Sequence, residues 1–373
     1  MARVPMYGSK NEPDPDPVPS NEDKYRFDEY EAKEKVSSEE DLLLRPQRMF
    51  EMVGQREVYA RIEIAIQAAR KRGETLGHIL FDGPPGLGKT TFATCIPHEM
   101  GVDVRIANGA TLRAPKDIIP YLSGMKKDTV LFIDEIHRMQ KSVEEFLYPA
   151  MEDFRIDFTT GDGLSARTIN LKIEPFTLIG ATTRTGLLSA PLRDRFQVHE
   201  HLDFYPDEDL AEIIHRNTKK LHMRIDDESA LEIARRSRGT PRLANNRLRW
   251  VRDYSDARAD GQVSLELTRA ALEMQGIDVA GLDAQDRKYL LTILKLFQGR
   301  AGRGVGVDTL AHTMNIAKDT IIDDIEPFLL RSEMLIRSQF GRMITAKGIR
   351  HLGFDPDDYD FRGTGSYPGS TLF

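Results

Sequence analysis

One stretch limits what this chain can fold into more than any other: GPPGLGKT at residues 83–90. It matches the phosphate-loop pattern, in which a glycine and four further residues precede Gly-Lys-Thr. Glycines let backbone N–H groups surround the phosphates, Lys89 reaches the β- and γ-phosphates, and the Thr90 hydroxyl ligates Mg²⁺. An apolar strand at 77–81 precedes the loop and a helix begins at 91–94, so the positive end of that helix points at the same anion. The sequence therefore predicts an α/β fold around a nucleoside triphosphate site.

Composition is that of an ordinary soluble globular chain. Its 373 residues predict two or three domains, and 40 % of them are hydrophobic and 30 % charged. No apolar run approaches the ~20 residues that cross a bilayer, and the N-terminus lacks the apolar core of an export signal. The single cysteine, Cys95, cannot form an internal disulfide and is expected in the core rather than as a reactive thiol. We therefore expect a cytoplasmic protein.

Acidic charge is concentrated at the N-terminus. The net charge is −7, and residues 1–41 contribute 12 acidic and 6 basic side chains, whereas the remainder is almost neutral. Proline and acid alternate at 13–19, so 1–41 are predicted to form a disordered acidic tail without activity of its own. A flexible tail is predicted at 356–373. Any nucleic-acid surface must then be a local patch on a nearly neutral body.

Two carboxylates follow a second strong strand pattern. The apolar run at 130–133 ends in Asp134 and Glu135, as in a buried parallel strand that delivers acids beside the phosphate loop. Asp134 is predicted to hold the Mg²⁺ shell and Glu135 to polarise the attacking water. Taken alone, the pair is equally compatible with a helix N-cap, but the phosphate loop upstream favours catalysis.

A third apolar run at 176–181 ends in Thr182 and Thr183. These hydroxyls either hydrogen-bond the γ-phosphate or the water, or form a simple turn. Before this run, 154–158 and 167–171 alternate around a glycine-rich turn and predict a protruding β-hairpin.

Arginines near the predicted site have two interpretations each. Arg193 and Arg195 flank an acid, so they form either a surface ion pair or an arginine finger directed at a nucleotide in a neighbouring subunit. Residues 206–276 have a helical pattern, within which Pro241 marks a helix start. Arg242 follows it and either faces the nucleotide or is solvated.

The C-terminal part has the pattern of a winged helix, because three amphipathic helices and a hairpin follow one another in 283–350. This stretch has 11 basic and 8 acidic residues. Arg337 and Arg342 in the hairpin are candidate phosphate contacts. The third helix, at 319–330, is acidic, so we do not expect it to read sequence in the major groove.

Together these motifs resemble the RuvB family, the AAA+ motors of bacterial Holliday junction branch migration. The resemblance runs in order over about residues 42–353. Tyr-Pro-Ala-Met-Glu-Asp at 148–153 and Gly-Ala-Thr-Thr-Arg at 180–184 are far more specific than a phosphate loop. The stretches that carry the resemblance are 83–91, 131–138, 147–154, 176–184, 191–196, 235–243 and 281–283.

The resemblance implies the fold: an α/β AAA+ P-loop NTPase with a parallel sheet flanked by helices, a helical lid and a C-terminal winged-helix domain. The expected boundaries are 42–205 for the large ATPase domain, 206–276 for the lid and 279–355 for the winged-helix DNA-binding head.

It also implies roles for the residues that match the family's motifs. Leu44 and Arg45 would flank the adenine, and Tyr205 would contact the nucleotide. Arg195 would be the arginine finger and Arg242 the sensor arginine of the lid. Phosphate and Mg²⁺ would be held by Gly86, Lys89, Thr90 and Thr91, and further nucleotide contacts would come from Glu152, Asp153 and Phe154.

The implied cofactors are ATP and Mg²⁺. The implied partners are the duplex arms of a Holliday junction, RuvA, the RuvC resolvase and further copies of the chain in a hexameric ring. The hairpin around Gly161 would engage RuvA, and Lys318, Arg337 and Arg342 match DNA-contacting positions.

Several residues depart from the family's usual pattern. Pro97 lies in the helix after the phosphate loop and is predicted to shorten or bend it within its second turn. Lys318 replaces an arginine and so loses the planar fork, and Phe340 replaces a wing arginine, which predicts a weaker grip on DNA with intact ATPase chemistry. The other departures lie at Gln197, Asn246 and Trp250.

Two functions are compatible with this pattern. The first is an ATP-driven DNA motor of recombination and repair. The second is a nucleotide-switched binding protein, such as a clamp-loader-like or transcription-regulating module, which uses ATP to change partners. The winged helix and the inserted hairpin favour the motor.

Overall fold

The computed structural model describes residues 41–160, 167–297 and 304–359. The two predicted tails lie outside these residues, apart from their inner ends at 41 and 356–359. The chain divides into two units, 1–45 and 46–373. In the first unit, residues 41–44 form a helical turn.

A parallel sheet forms the centre of the ATPase region. In chain order the strands of this region are β1 (Ile79–Asp82), β2 (Val104–Asn108), β3 (Val130–Asp134), β4 (Arg155–Thr160), β5 (Arg167–Lys172), β6 (Thr177–Thr182) and β7 (Val198–His201). Strands β4 and β5 form a separate hairpin, and the other five form the sheet. The sheet order is β2-β3-β6-β1-β7, and all neighbouring pairs are parallel. The inner strands β1, β3 and β6 are almost wholly buried, as expected for strands covered on both faces.

Register brings the ends of the strands together. Asp82 at the end of β1 pairs with Thr182 of β6, and Asp134 at the end of β3 pairs with Asn108 of β2. Polar side chains therefore line the C-terminal edge of the sheet, by which we mean the side on which the strands end. The N-terminal edge, by which we mean the side on which the strands begin, is lined by the residues that precede β1, β6 and β7.

Helices cover both faces of the sheet and enclose two apolar clusters. They are α1 (Arg56–Arg72), α2 (Lys89–Met100), α3 (Pro115–Leu122), α4 (Lys141–Asp153) and α5 (Ala190–Arg193). Cys95 on α2 is buried, and burial raises the pKa of its thiol to about 12, which confirms it as a core residue.

Helix α2 does not end at its proline. Pro97 lies in the final turn, the helix continues to Met100, and Gly101 caps it with φ +70°. The prediction that Pro97 shortens or bends this helix within its second turn was therefore wrong about the length, and the bend stays a prediction. Pro97 lacks a backbone donor, but the helix continues past it, and its carbonyl accepts the N–H of Val102 at 3.0 Å in the cap.

The predicted hairpin is present as the antiparallel pair β4 and β5, in which Arg155 pairs with Lys172. Its tip at 161–166, including Gly161, lies outside the described residues, so the predicted contact with RuvA stays a prediction.

Four helices follow β7, as the pattern at 206–276 predicted. They are α6 (Asp207–Lys220), α7 (Asp227–Arg235), α8 (Pro241–Arg258) and α9 (Leu265–Met274). Pro241 is the first residue of α8, where a proline has no hydrogen bond to lose.

The C-terminal part has the predicted three helices and hairpin around an apolar cluster of its own. Its elements are α10 (Ala284–Phe297), α11 (Val307–Met314), α12 (Lys318–Thr320), α13 (Glu326–Arg331), β8 (Leu335–Ser338), β9 (Gly341–Ile344) and α14 (Ala346–His351). A π-helical turn, Ile321–Ile325, joins α12 to α13, and we call 318–331 the third helix. Gly341 has φ +121°, and an added Cβ would lie 2.5 Å from the Val305 carbonyl oxygen, so the hairpin requires glycine there.

Candidate functional site

The phosphate loop follows β1 and leads directly into α2. Gly83, Gly86 and Gly88 all have positive φ, and a Cβ on Gly83 would lie 2.4 Å from the Leu202 carbonyl oxygen. Lys89 is 6 % exposed, and its Nζ donates to the carbonyl oxygens of Gly83 and Pro84, both at 2.7 Å. Burial lowers the pKa of Lys89 to about 8, and it outweighs the opposite effect of the nearby carboxylates of Glu135 and Asp134, which favour the charged form. The loop thus holds the ammonium group of Lys89 beside the backbone N–H groups that would surround a phosphate.

A pair of hard oxygen ligands lies at the start of α2. Thr90 Oγ1 donates to Asp134 Oδ2 at 3.2 Å, and Asp134 Oδ1 accepts the backbone N–H of Glu135 at 2.9 Å. One hydroxyl and one carboxylate suit Mg²⁺, which takes few protein ligands and completes its shell with phosphate and water. Among the described residues, no group of three or more His, Cys, Asp and Glu side chains is arranged to hold a metal alone. Thr91 follows Thr90 on the first turn of the helix.

Glu135 begins the loop after β3 in a left-handed conformation, with φ +49°. Its side chain makes no capping hydrogen bond to the following 3₁₀ turn, so the helix-cap alternative does not account for it. Burial, followed by the neighbouring carboxylate of Asp134, raises the pKa of Glu135. A half-buried carboxylate with a raised pKa is suited to accept or orient a proton.

Thr182 at the end of β6 is linked to this glutamate through a histidine. Thr182 Oγ1 lies 2.9 Å from His137 Nδ1, and His137 Nε2 lies 3.4 Å from Glu135 Oε2. Thr182 also accepts the backbone N–H of Arg184 at 3.0 Å. The sequence indicated Thr182 but not His137; its position two residues after Glu135, in the loop after β3, was the available signal.

The lid contacts the phosphate loop at the start of α8. The backbone N–H of Arg242 donates to the Gly86 carbonyl oxygen at 3.4 Å, and a Cβ on Gly86 would lie 2.7 Å from Thr240 Cγ2. Tyr205 is buried, and its hydroxyl donates to the Leu87 carbonyl oxygen at 3.3 Å. The structure therefore brings Tyr205 and Arg242 to the same loop as Lys89.

Arg195 lies at the other edge of the sheet, where strands begin. Its Nη2 is 2.9 Å from Glu152 Oε1, and its guanidinium lies 4.2 Å from the ring centroid of Tyr148. Phe154 packs its ring 6.2 Å from that of Phe176, the residue before β6. Asp153 lies beside them at the end of α4, exposed and 3.4 Å from Arg155. The structure thus separates Arg195, Glu152, Asp153 and Phe154 from the phosphate loop of their own chain.

An open cavity of about 420 Å³ lies at this edge. Buried His78 braces it: its Nδ1 accepts the Leu178 N–H at 2.9 Å and its Nε2 donates to the Met151 carbonyl oxygen at 3.1 Å. Burial lowers the pKa of His78. Gln197, one of the departures, accepts the N–H of His78 at 2.5 Å and so fits the local structure. The lining includes His78, Glu152, Phe154, Arg195 and Gln197.

The candidate DNA-contacting arginines share one buried carboxylate. Arg337 Nε donates to Glu326 Oε2 at 2.7 Å, and Arg342 Nε donates to Glu326 Oε1 at 2.8 Å. Glu326 is fully buried and also accepts the Tyr289 hydroxyl at 2.6 Å. Burial alone would raise the pKa of Glu326, but these hydrogen bonds lower it. The sequence pattern counted Glu326 among the acids of the third helix, and the structure places it inside the domain rather than on its surface.

Two positions at which the family usually has an arginine are exposed. Lys318 pairs with Asp308 at 2.9 Å, and Phe340 lies at the tip of the hairpin with 61 % of its surface exposed. Leu44 and Arg45, the predicted adenine contacts, belong to the first unit, and their role stays a prediction. None of the helices within 41–160, 167–297 and 304–359 is long and apolar enough to cross a membrane.

Comparisons with known proteins match almost the whole second unit. Family models match in three consecutive pieces: the Holliday junction DNA helicase RuvB P-loop domain at 44–202, the RuvB AAA lid domain at 205–278 and the RuvB C-terminal winged-helix domain at 279–353. The chain is 60 % identical over 312 residues, 84 % of each chain, to the Holliday junction branch migration complex subunit RuvB of Rhodopirellula baltica.

Solved structures agree with the sequence comparison. The Thermotoga maritima RuvB Holliday junction branch migration motor is 40 % identical, with a TM-score of 0.76 over 84 % of this chain and 99 % of that one. A proline-to-glycine mutant of the same protein is 41 % identical, with a TM-score of 0.77 over 83 % and 99 %.

Proposed function

The chain belongs to the RuvB family of Holliday junction DNA helicases, AAA+ ATPases of branch migration, and from that premise we propose how its own residues perform the work. In this proposal it hydrolyses ATP to drive branch migration of Holliday junctions during recombination and repair. We propose the cytoplasm as its location, because its DNA substrate lies there.

ATP binds at the phosphate loop in this proposal. Gly86, Lys89, Thr90 and Thr91 surround the phosphates, and Thr90 and Asp134 hold Mg²⁺. The support is that Lys89 is buried beside carbonyl oxygens that a phosphate oxygen would replace as partners, and that the Thr90 and Asp134 oxygens meet at 3.2 Å. When bound, Mg²⁺ neutralises charge on the phosphates.

Glu135 orients the attacking water and accepts its proton. Its raised pKa and half-buried position support this role, and His137 restrains the carboxylate from one side. Tyr205 and Arg242 approach the same loop from the lid, so we assign them to sensing the nucleotide and moving the lid. Leu44 and Arg45 are proposed to flank the adenine.

One observation carries the proposal of a ring: Arg195 and Lys89 lie at opposite edges of one sheet. An arginine finger must contact the γ-phosphate, so Arg195 can serve only the site of a neighbouring subunit, together with Glu152, Asp153 and Phe154. A head-to-tail contact of this kind closes into a ring when the rotation allows. We propose a hexamer.

The C-terminal domain is proposed to hold duplex arms of the junction through Lys318, Arg337 and Arg342, since phosphate contacts from basic side chains position a protein on DNA. We keep the division into 42–205, 206–276 and 279–355. The hairpin of β4 and β5 is proposed to engage RuvA, and RuvC to act on the same junction.

The decisive experiment is conversion of a synthetic four-way junction to duplex products, with ATP, with and without RuvA. We expect conversion by the unmodified chain, none by Lys89→Ala, and none on a control junction whose arms are too mismatched to migrate. Junction-stimulated ATP hydrolysis without conversion would instead identify a nucleotide-switched binding protein.

A further inference from the structure

Arg184, two residues beyond β6, contacts the winged-helix domain as well as the ATPase core. Its Nε donates to Asp323 Oδ1 at 2.9 Å, and its Nη2 donates to Asp319 Oδ1 at 2.8 Å and to the second oxygen of Asp323. Asp319 and Asp323 lie one turn apart on the third helix. One guanidinium therefore ties the strand end beside the nucleotide site to the domain proposed to bind DNA.

The geometry is that of a specific link rather than a loose surface pair. The side chains of Arg184 and Asp323 are 26 % and 29 % exposed, so water screens them only in part. The guanidinium contacts both oxygens of Asp323, which is the bidentate arrangement that arginine can make and lysine cannot. Hydrogen bonding to Asp323, and then to Asp319, raises the pKa of Arg184.

This contact also explains part of the acidic character of the third helix. Two of its acids, Asp319 and Asp323, have a partner inside the molecule. Their charge serves a contact between domains, and it need not be brought against DNA phosphates while the contact is made.

The backbone of Arg184 leads back to the proposed catalytic glutamate. Its N–H donates to Thr182 Oγ1, which lies 2.9 Å from His137 Nδ1, and His137 Nε2 lies 3.4 Å from Glu135 Oε2. A carboxylate beside Nε2 favours a proton on that nitrogen, so Nδ1 of the neutral ring accepts the Thr182 hydroxyl. Two hydrogen bonds then run from the Arg184 N–H through Thr182 to the imidazole, whose Nε2 faces the Glu135 carboxylate at 3.4 Å, and a displaced Arg184 backbone reorients the hydroxyl on which the imidazole depends.

We propose that Arg184 is a positioning residue that couples the winged-helix domain to Glu135 through Thr182 and His137. The inference rests on the proposed function, in which Glu135 orients water and the winged helix holds DNA. Movement of the third helix under load from DNA pulls on the guanidinium, and the backbone of the same residue passes the displacement to the catalytic loop.

Hydrogen exchange of the backbone amides at 318–331 tests the link without nucleotide or DNA. Arg184→Ala removes the contacts with both acids, so exchange there is expected to rise about five- to tenfold, whereas Asp323→Asn leaves the contact with Asp319 and should give a smaller rise. The double variant is expected to match Arg184→Ala, because Asp323→Asn removes part of the same interaction. Arg184→Lys keeps the charge without the fork and should give an intermediate rise. Glu333→Gln removes an exposed acid of the same domain, which pairs with Lys347 at 3.9 Å, and should change nothing.

The second measurement is the ratio of ATP turnover with duplex DNA to turnover without it. The ratio is expected to fall toward one in Arg184→Ala and less far in Asp323→Asn, with the double variant equal to Arg184→Ala, and to be retained in Glu333→Gln. Unchanged exchange, an unchanged ratio, or additive effects in the double variant would each overturn the coupling.

Glu135→Gln separates this inference from the proposed function. If Glu135→Gln hydrolyses ATP normally, the proposed catalytic role is lost and the coupling with it. If Glu135→Gln is inactive while Arg184→Ala keeps a normal DNA ratio, only the coupling is lost.

Discussion

Arg195 Nη2 lies 2.9 Å from Glu152 Oε1 at the edge of the sheet where strands begin, whereas Lys89 lies at the edge where they end. The two side chains that ATP hydrolysis is proposed to need cannot meet within one chain. In the proposed mechanism each active site therefore combines residues of two subunits, and mixed assemblies can test this directly.

We predict that Lys89→Ala and Arg195→Ala are each inactive and that rings containing both variants regain activity. A site is complete where an Arg195→Ala subunit, with its intact lysine, meets a Lys89→Ala subunit, with its intact arginine. In a random equal mixture about a quarter of the interfaces are complete, so turnover should approach about a quarter of the unmodified rate. Co-expression with two tags and sequential purification gives the mixed rings.

The controls for this experiment are rings of each variant alone, purified in the same way. Arg195→Ala alone should still bind ATP. Robust hydrolysis by that variant alone, or mixed rings as inactive as the single variants, would contradict an arginine finger acting across the interface.

Nucleotide binding is predicted to take up protons at about pH 8. Burial lowers the pKa of Lys89 to about 8 in the free site, and phosphate oxygens would stabilise the ammonium form and raise the pKa again. Binding at about pH 8 should therefore take up about half a proton per site, and affinity should fall as the pH rises further. Calorimetric titration with ADP in two buffers of different ionisation enthalpy measures the uptake.

Lys89→Arg is the matched control for this prediction, because a guanidinium stays protonated throughout this range. Its binding heat should be independent of the buffer, whether or not its affinity is reduced. A binding heat of the unmodified chain that is equally independent of the buffer would contradict the lowered pKa of Lys89.

Sequence patterns located the residues whose positions follow from local structure. Lys89, Asp134 and Arg242 each lie where a strand ends or a helix begins, and parallel strands bring such ends to one edge. The link from Arg184 to Asp323 joins residues 139 apart, so no local pattern could reveal it. Glu326 carried the charge of a surface residue, and only the packing of the hairpin against the third helix shows that it is buried.

Stability is predicted to fall as the pH drops below about 6.5, in part because of His78. Burial lowers the pKa of His78 in the folded chain below its ordinary value of 6.5. The unfolded chain then binds the proton first, so the contribution is complete above about pH 6.5 and is lost as the pH falls from there through the lowered pKa of the folded chain. His78→Gln retains an acceptor and a donor but does not titrate.

The measurement is the melting temperature at about pH 8 and about pH 5.5. The drop between the two should be smaller in His78→Gln than in the unmodified chain, even if the variant is less stable at the higher pH. His98→Gln changes an exposed histidine and should keep the full drop. An equal drop in His78→Gln would show that His78 is not part of the pH dependence.

Glu326→Gln is predicted to destabilise the winged-helix domain and weaken DNA binding together. The buried carboxylate accepts hydrogen bonds from Arg337, Arg342 and Tyr289, and a neutral amide would leave two guanidinium groups without their counter-charge. Removal of one partner from a buried ion pair costs about 3–5 kcal/mol. Arg342, with only 18 % of its side chain exposed, has the least access to water as a replacement.

Two measurements separate these effects. Hydrogen exchange across β8 and β9 should rise in Glu326→Gln, and fluorescence anisotropy with duplex DNA should show weaker binding, because the hairpin that presents the two arginines is no longer held. Glu333→Gln, an exposed acid of the same domain, should leave both unchanged. Tighter DNA binding with normal exchange would contradict this prediction. It would mean that the arginines contact phosphate without being positioned by Glu326, and that the carboxylate only reduces their charge toward DNA.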